Sequence, residues 1–444
     1  LGVVANEFAT DVPGYRAFSL RFDQPVDHQN PATQRFTQFA TLLHRDAGAP
    51  LIVATTGYWD YIRDRRVELT RLVEGNQISI EHRYFNQSRP IPADWTQLTV
   101  ANAAADQHRI IAALRTIYTS AVATTGASKG GMTAVYHRRF YPDDVVAAFP
   151  YVAPQSSSDQ DPRYMQFLTT VGTQPCRDAI RAVQVELLTN RRAMLLQRTN
   201  QQAMQQGAQF TRIAPAAVVE AVVASLDWAF WQYRGIDDCP RVPATAASDD
   251  AMWTFLEQTA PVSDNTDDEL ALFEPYYYQA AFQLGQPTSQ PPHLASLLQF
   301  TGVDYGGLLP LGVAAPTYQP SAMQDIDSWL QQAGQRMMFI YGEWDPWTAA
   351  PFTLGNAVDS FVFVQAKGTH GANLAGLAAS DRSTAATKIG AWLGVTPAGL
   401  TANKPQVFEA VPREPRMPAA IVHSSRLAKP HRDGAEPVLH DLHE

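Results

Sequence analysis

Cysteine is nearly absent: Cys176 and Cys239 are the only two among 444 residues, and no Cys-x-x-Cys occurs. That excludes a disulfide-dense scaffold and a cysteine-built zinc site. The chain also lacks His-Glu-x-x-His and any dense Asp/Asn loop of calcium type, so no metal is expected. It has no phosphate-binding Gly-rich loop, and no cofactor is expected. No apolar run is long enough to cross a bilayer. Residues 305–324 carry no charge, but Gly and Pro interrupt them, and they read as a loop. Positive charge is scarce. The net charge of -9 argues against nucleic acid, which demands clustered Lys and Arg. The short run Arg63-Asp64-Arg65-Arg66 is diluted by acid and reads as a solvated face. The two cysteines are expected to pair as one disulfide in an oxidising compartment; two buried thiols are the alternative. The chain begins at Leu1 without Met. A removed secretory signal, and hence secretion, is the expectation, with simple trimming as the other explanation.

The remaining composition, 45% hydrophobic and 17% charged, is that of a folded protein with a large core. The length allows two structural units. Residues 17–23 and 35–45 alternate with period two, as antiparallel strands do. Residues 51–55 (LIVAT) and 78–81 are short apolar runs suited to strands buried on both faces. Residues 100–118 read as a helix with Ile110, Ile111, Leu114 and Ile117 on one side. A strand over 121–125 (AVATT) precedes a helix over 129–141 that Pro142 stops. From about 154 to 320 strand signals are scarce and helical spacing dominates, as in Ile180, Val183, Leu187 and Met194, and again over 216–231. The strand-and-helix pattern then returns with 337–341 (MMFIY), 361–365 (FVFVQ) and a closing helix over 380–393. Alternation of this kind predicts an α/β class with a largely parallel sheet. The expected organisation is a core over 1–153 and 321–404, a helical insertion over 154–320, and an extended tail over 405–444.

The strongest local motif is Gly126-Ala127-Ser128-Lys129-Gly130, which matches Gly-x-Ser-x-Gly between a predicted strand and a predicted helix. That context marks a nucleophile elbow, with Ser128 as nucleophile and glycines where side chains would clash. A serine hydroxyl needs a base, and the base an orienting acid. The chain order for this fold class is Ser, acid, His. Asp345 follows MMFIY in Gly342-Glu343-Trp344-Asp345-Pro346-Trp347, and His370 follows FVFVQ in Gly368-Thr369-His370-Gly371. Among the 11 histidines, His370 alone beyond Asp345 sits in a Gly-flanked loop after a buried strand. His423, His431, His440 and His443 fall in the tail, and His82 and His137 precede the acid. Glu343 rivals Asp345, but the Asp-Pro turn aims the Asp345 carboxylate out of the strand end. The N–H of Lys129, after the nucleophile, and that of Tyr58, in Thr55-Thr56-Gly57-Tyr58-Trp59, are the candidate oxyanion donors.

With these motifs in hand, the chain resembles the secreted bacterial prolyl tri/tetrapeptidyl aminopeptidase family, serine peptidases distantly similar to prolyl carboxypeptidase and dipeptidyl peptidase 7. The resemblance rests on Glu81-His82-Arg83-Tyr84-Phe85, Gly126-Ala127-Ser128-Lys129-Gly130-Gly131, Asp345-Pro346-Trp347 and the Gly-Thr-His-Gly loop, in order over about residues 50 to 375. It implies an α/β-hydrolase core under a helical cap. It also implies peptide substrates with a free N-terminus, cut after proline to release tri- or tetrapeptides. A free amine calls for a desolvated carboxylate. Glu343, beside the triad acid, is expected to face the cleft; Asp237, Asp238, Asp264, Asp267 and Asp268 are the other acids considered, most of them read as solvated caps. A proline pocket calls for flat aromatic walls, and Trp59, Tyr151 and Trp347 each follow a core strand. Glu81, His82 and Arg83 read as a buried charge network under the site, with His82 outside the chemistry. Competing readings are an esterase or lipase, a prolyl carboxypeptidase-like enzyme using Arg83 or Lys129 for a substrate carboxylate, and a non-catalytic binding protein of the same fold. Neither a membrane nor nucleic acid is an expected partner, and a monomer is the default oligomeric expectation.

Overall fold

The computed structural model describes residues 3–287, 291–300 and 307–400. The expected tail over 405–444, with its four histidines, lies outside the described residues. In chain order the core begins with β1 (Val3–Phe8), β2 (Arg16–Pro25), β3 (Arg35–His44), β4 (Leu51–Thr55), α1 (Glu68–Val73) and β5 (Asn76–Ile80). It continues through α2 (Val100–Leu114), β6 (Val122–Ala127), α3 (Lys129–Phe140) and β7 (Ala147–Tyr151). Seven helices follow: α4 (Arg163–Leu168), α5 (Gln174–Asn190), α6 (Arg192–Gln206), α7 (Pro215–Ala224), α8 (Leu226–Tyr233), α9 (Asp249–Thr259) and α10 (Asp267–Gln279). The core resumes with α11 (Ser321–Ala333), β8 (Met338–Gly342), β9 (Phe361–Gln365) and α12 (Ala379–Leu393).

Among the described residues the strands form one nine-stranded sheet in the order β1-β2-β3-β5-β4-β6-β7-β8-β9. The pairs from β1 to β5 are antiparallel, and those from β5 through β4 to β9 are parallel. Every residue of β4, β5, β7 and β8 is buried, because helices cover both faces. One layer packs Leu69 and Leu72 of α1 and Ile389 and Trp392 of α12 onto Ile52, Phe149 and Ile340. The opposite layer packs α2, α3 and α11 through Ile110, Ile111, Met132, Val135 and Ile326. This is the α/β-hydrolase architecture, with an added antiparallel β1–β3 edge.

The chain moves outward from β4 to β5, then crosses back through α2 to β6 on the other side of β4. Adjacent parallel strands whose connections run in opposite directions leave a crevice at their carboxyl ends, where α/β sheets bind ligands. Gly57 leaves β4 and Ser128 leaves β6 at that crevice.

Between β7 and α11 the described elements are helical. Two helices expected to be continuous are broken. The apolar stretch over 216–231 divides at Ser225 (φ -104°, ψ 4°), whose hydroxyl donates to the Ala221 carbonyl one turn back, a bond that competes with helix propagation. Met194 lies on α6, past a break at Arg191 (φ -126°), rather than on one helix with Ile180.

Arg83 and Asp106 are fully buried at 0% and 1% side-chain exposure. The guanidinium meets Asp106 in a fork of 2.6 and 2.9 Å and donates to the carbonyls of Val26, Gln97 and Pro25. His28 adds a 2.7 Å contact to the same carboxylate. This knot ties β2, the turn after β5 and α2 together. Removing one member leaves a buried charge uncompensated. Asp106→Ala should therefore lower the unfolding free energy by about 3–5 kcal/mol, read as a lower denaturant midpoint; an unchanged midpoint would show that the knot carries no stability.

Candidate active site

Ser128 occupies the turn between β6 and α3 with φ 50° and ψ -119°, a conformation that costs an L-residue of order 1–3 kcal/mol. Surrounding bonds hold it there. Its N–H donates to the Tyr151 carbonyl at 2.9 Å, and its carbonyl accepts from Met132 N–H at 2.8 Å. The flanking glycines are dictated by space. A Cβ on Gly126 would lie 2.5 Å from the Gly130 and Thr55 carbonyl oxygens, and one on Gly130 would lie 2.2 Å from the Thr55 carbonyl oxygen. The Thr55 hydroxyl reaches the carbonyls of Thr125 and Gly130 at 2.9 and 2.7 Å. Strand β4, strand β6 and the start of α3 thus close on one another backbone to backbone.

Asp345 follows β8 and is fully buried; His370 follows β9 and is 8% exposed. His370 Nδ1 lies 2.7 Å from Asp345 Oδ2, while Asp345 Oδ1 accepts from Trp347 N–H at 3.2 Å. With Nδ1–H given to the carboxylate, Nε2 keeps the lone pair that can take a proton. The loops carrying both residues are laced together: Trp344 N–H donates to the Gly368 carbonyl at 2.8 Å. Ser128, Asp345 and His370 all leave the carboxyl ends of parallel strands. A hydroxyl, an imidazole and a carboxylate in this arrangement can perform acyl transfer without a cofactor.

The helical insertion reaches the site directly. His370 N–H donates to the Gln232 carbonyl of α8 at 2.9 Å, and the Tyr233 ring lies 6.3 Å from the imidazole. Gly235 (φ 78°) lets the chain turn against Trp344 and Thr369, where a Cβ would meet Trp344 at 2.9 Å. Trp347 is 2% exposed and lies 6.4 Å from His370. It packs edge-on against Trp228 at 5.2 Å and Tyr164 at 5.4 Å, both from the insertion. Trp59 is buried against Phe273 of α10 at 5.3 Å. Trp228 and Tyr164 were not singled out from sequence; their spacing marks them as helix-core residues, and only the packing of the insertion onto Trp347 brings them to the site.

Two expected substrate contacts are corrected. Glu343 does not face the cleft as a desolvated carboxylate. It is exposed, and its Oε2 accepts from Lys367 N–H at 2.6 Å, bracing the turn that leads to His370. Tyr151 belongs to the layer of α1 and α12, in the cluster with Phe149, Leu69 and Trp392. Only its carbonyl serves the site, through Ser128 N–H. Of the insertion's acids, Asp238 pairs with Arg234 and Arg241, and Asp267 accepts from the N–H groups of Thr211 and Arg212. Glu81, His82 and Arg83 are all buried but serve separate partners. Glu81 accepts from Ser88, and burial pushes its carboxyl up to about 7. His82 Nε2 meets the Tyr136 hydroxyl at 3.0 Å, and burial holds its imidazole well below the usual 6.5, hence neutral.

Cys176 of α5 and Cys239 form a disulfide with Cα atoms 5.6 Å apart and a sequence separation of 63. The bond pins the segment just past α8, next to the Gln232 and Gly235 contacts with the His370 loop.

A family model described as PS-10 peptidase S37 matches residues 5–413. A prolyl tri/tetrapeptidyl aminopeptidase from Streptomyces mobaraensis is 41% identical over 405 residues, covering 89% of this chain and 84% of that protein. Among solved structures, a peroxisomal alpha-beta-hydrolase of Saccharomyces cerevisiae aligns with TM-score 0.39 and 11% identity, over 90% of this chain and 94% of its own. A proline iminopeptidase of Mycobacterium smegmatis aligns with TM-score 0.34 and 14% identity, over 83% and 91%.

Cys239→Ser should cost about 4 kcal/mol by the entropy of the opened loop. The check is the thermal midpoint of the variant beside wild type with and without reductant. A midpoint equal to oxidised wild type would show that the bond is idle.

Proposed function

Since the chain belongs to the PS-10 peptidase S37 family, and is therefore a serine peptidase, we propose that it removes tri- and tetrapeptides from free N-termini by cutting after proline. The observation that carries the chemistry is the buried 2.7 Å contact between His370 and Asp345, at the strand ends that also carry the Ser128 elbow. The specificity is inferred from the Streptomyces mobaraensis relative, whose name states it.

In the proposed cycle Ser128 Oγ attacks the carbonyl after proline while His370 Nε2 takes the hydroxyl proton. Asp345 holds the imidazole in the required tautomer and stabilises its charged form. The oxyanion is received by the N–H groups of Lys129, first residue of α3, and Tyr58. His370 then gives its proton to the leaving amine, and water hydrolyses the acyl-enzyme by the same route. Trp347, with Trp228 and Tyr164 packed on it, supplies the aromatic surface best placed beside His370 for a proline ring, and Trp59 is the candidate on the oxyanion side. Tyr151 is dropped from this pocket, and Glu343 from the amine site. The Cys176–Cys239 disulfide supports an extracellular location.

The test is hydrolysis of Ala-Ala-Pro-p-nitroanilide beside its N-acetylated twin, by wild type and Ser128→Ala. Cleavage of the free-amine peptide alone, and by wild type alone, is the expected result. Equal cleavage of both would make the enzyme an endopeptidase or broad hydrolase, and turnover by Ser128→Ala would remove Ser128 as nucleophile. Glu343→Gln keeps an acceptor for Lys367 N–H, so kcat/KM on the free-amine peptide should match wild type. A selective rise in KM would restore Glu343 as the amine anchor.

A further inference from the structure

The Lys129 side chain has no place in the cycle above, and it is an unusual object. It is 1% exposed, and its Nζ donates to the Gly57 carbonyl at 2.6 Å. Nζ lies 5.8 Å from the Tyr58 ring centroid and 5.3 Å from that of Phe85. Burial pushes it well below the usual 10.5.

The Gly57 carbonyl and the Tyr58 N–H are two ends of one peptide unit. In a trans peptide they point in opposite directions and are fixed in one plane, so whatever holds the carbonyl aims the N–H. Gly57 alone would not hold it. With φ 75° and no Cβ, it leaves the following peptide free to rotate at small cost. The unit sits hard against the start of α3: a Cβ on Gly57 would lie 2.5 Å from Gly130 N and 2.7 Å from the Lys129 carbonyl carbon. Beyond it, the Tyr58 carbonyl accepts from His82 N–H at 2.8 Å and from the Thr56 hydroxyl at 2.9 Å. These fix the next peptide, not this one.

We propose that the Lys129 side chain is the positioning residue of the oxyanion hole: by holding the Gly57 carbonyl away from Ser128, it turns the Tyr58 N–H toward the developing oxyanion. One residue then serves the hole twice, its own N–H directly and its Nζ through Gly57. The inference rests on the oxyanion role proposed for Tyr58. It does not depend on proline specificity, because any acyl group passing through the site develops the same oxyanion.

The test variant is Lys129→Met, which keeps the backbone N–H and the apolar stem but removes the Nζ donor. Losing one oxyanion donor costs roughly 10²–10³-fold in kcat. That loss is expected on Ala-Ala-Pro-p-nitroanilide with KM little changed, and equally in acylation by p-nitrophenyl acetate. A boronic acid analogue of Ala-Ala-Pro should bind more weakly, while the product Ala-Ala-Pro inhibits as in wild type. The thermal midpoint should stay or rise, since a methionine fills the site without burying a polar amino group that has a single hydrogen-bond partner. Wild-type kcat on both substrates would overturn the proposal. So would parallel losses of boronate and product affinity with a lower midpoint, which describe collapse of the site rather than misalignment of one peptide. If wild type ignores the peptide but acylates with the ester, the peptidase reading fails while the Lys129 test is still read on the ester. Should Lys129→Met not fold, Lys129→Gln, polar but too short to reach Gly57, carries the same measurements and the same expected split.

Discussion

The structure turns on a place where three backbones meet without room for side chains. Strand β4, strand β6 and the first turn of α3 close around Gly57, Gly126 and Gly130, and the Thr55 hydroxyl joins the carbonyls of Thr125 and Gly130. Such closeness is possible only because β4 and β6 are adjacent parallel strands. That adjacency follows from a chain that runs outward to β5 and returns through α2. The strained Ser128 conformation is sustained by the same closeness. Its N–H is anchored on β7 and its carbonyl on α3, so relaxing φ would break two hydrogen bonds. Strain at one residue is held by order in three elements.

The insertion completes the site as much as it covers it. His370 is gripped from the core by Asp345 and from α8 by the Gln232 carbonyl. The apolar cluster of the insertion is continuous with Tyr58, Trp59, Phe85 and Trp347 from the strand-end loops, and an interface of this kind packs like a core. A shift of α8 would therefore move an imidazole that Asp345 alone orients in only one direction. The Cys176–Cys239 bond stands where such a shift would begin.

The parts legible in the sequence were those set by local rules. The elbow could be read because Gly126 and Gly130 flank Ser128 between a strand and a helix. Asp345 could be read because it follows a buried strand, β8, and His370 because its Gly-flanked loop follows a strand. The structure puts those two in contact, although β9 is the sheet edge, with Val362 and Val364 exposed rather than buried as expected. Which way a side chain faces was less accessible. Tyr151 was placed by nearness to a strand end, whereas strand periodicity puts it on the same face as Phe149, two residues earlier, and Phe149 packs on Trp392 of α12. Glu343 was placed by nearness to Asp345. Its N–H, however, still pairs with the Gln365 carbonyl in the line of β8 and β9, so it belongs to the sheet edge and its carboxylate is available to Lys367. The contributions of Trp228, Tyr164 and Gln232 could not be read. They depend on how separate helices dock, and spacing within one helix carries no record of that.

Two buried basic side chains show how differently the same cost can be met. Arg83 spends all of its donors inside the protein, on Asp106 and three carbonyls, and knits three segments together. Lys129 is equally hidden, yet its partners are one carbonyl and two ring faces. A buried amino group with so few partners contributes little to stability, since an apolar side chain of similar volume would fill the space with less desolvation. Its one strong contact falls on the peptide whose other end is the Tyr58 N–H. Stability accounts for Arg83; for Lys129 the direction of that single hydrogen bond is the better account.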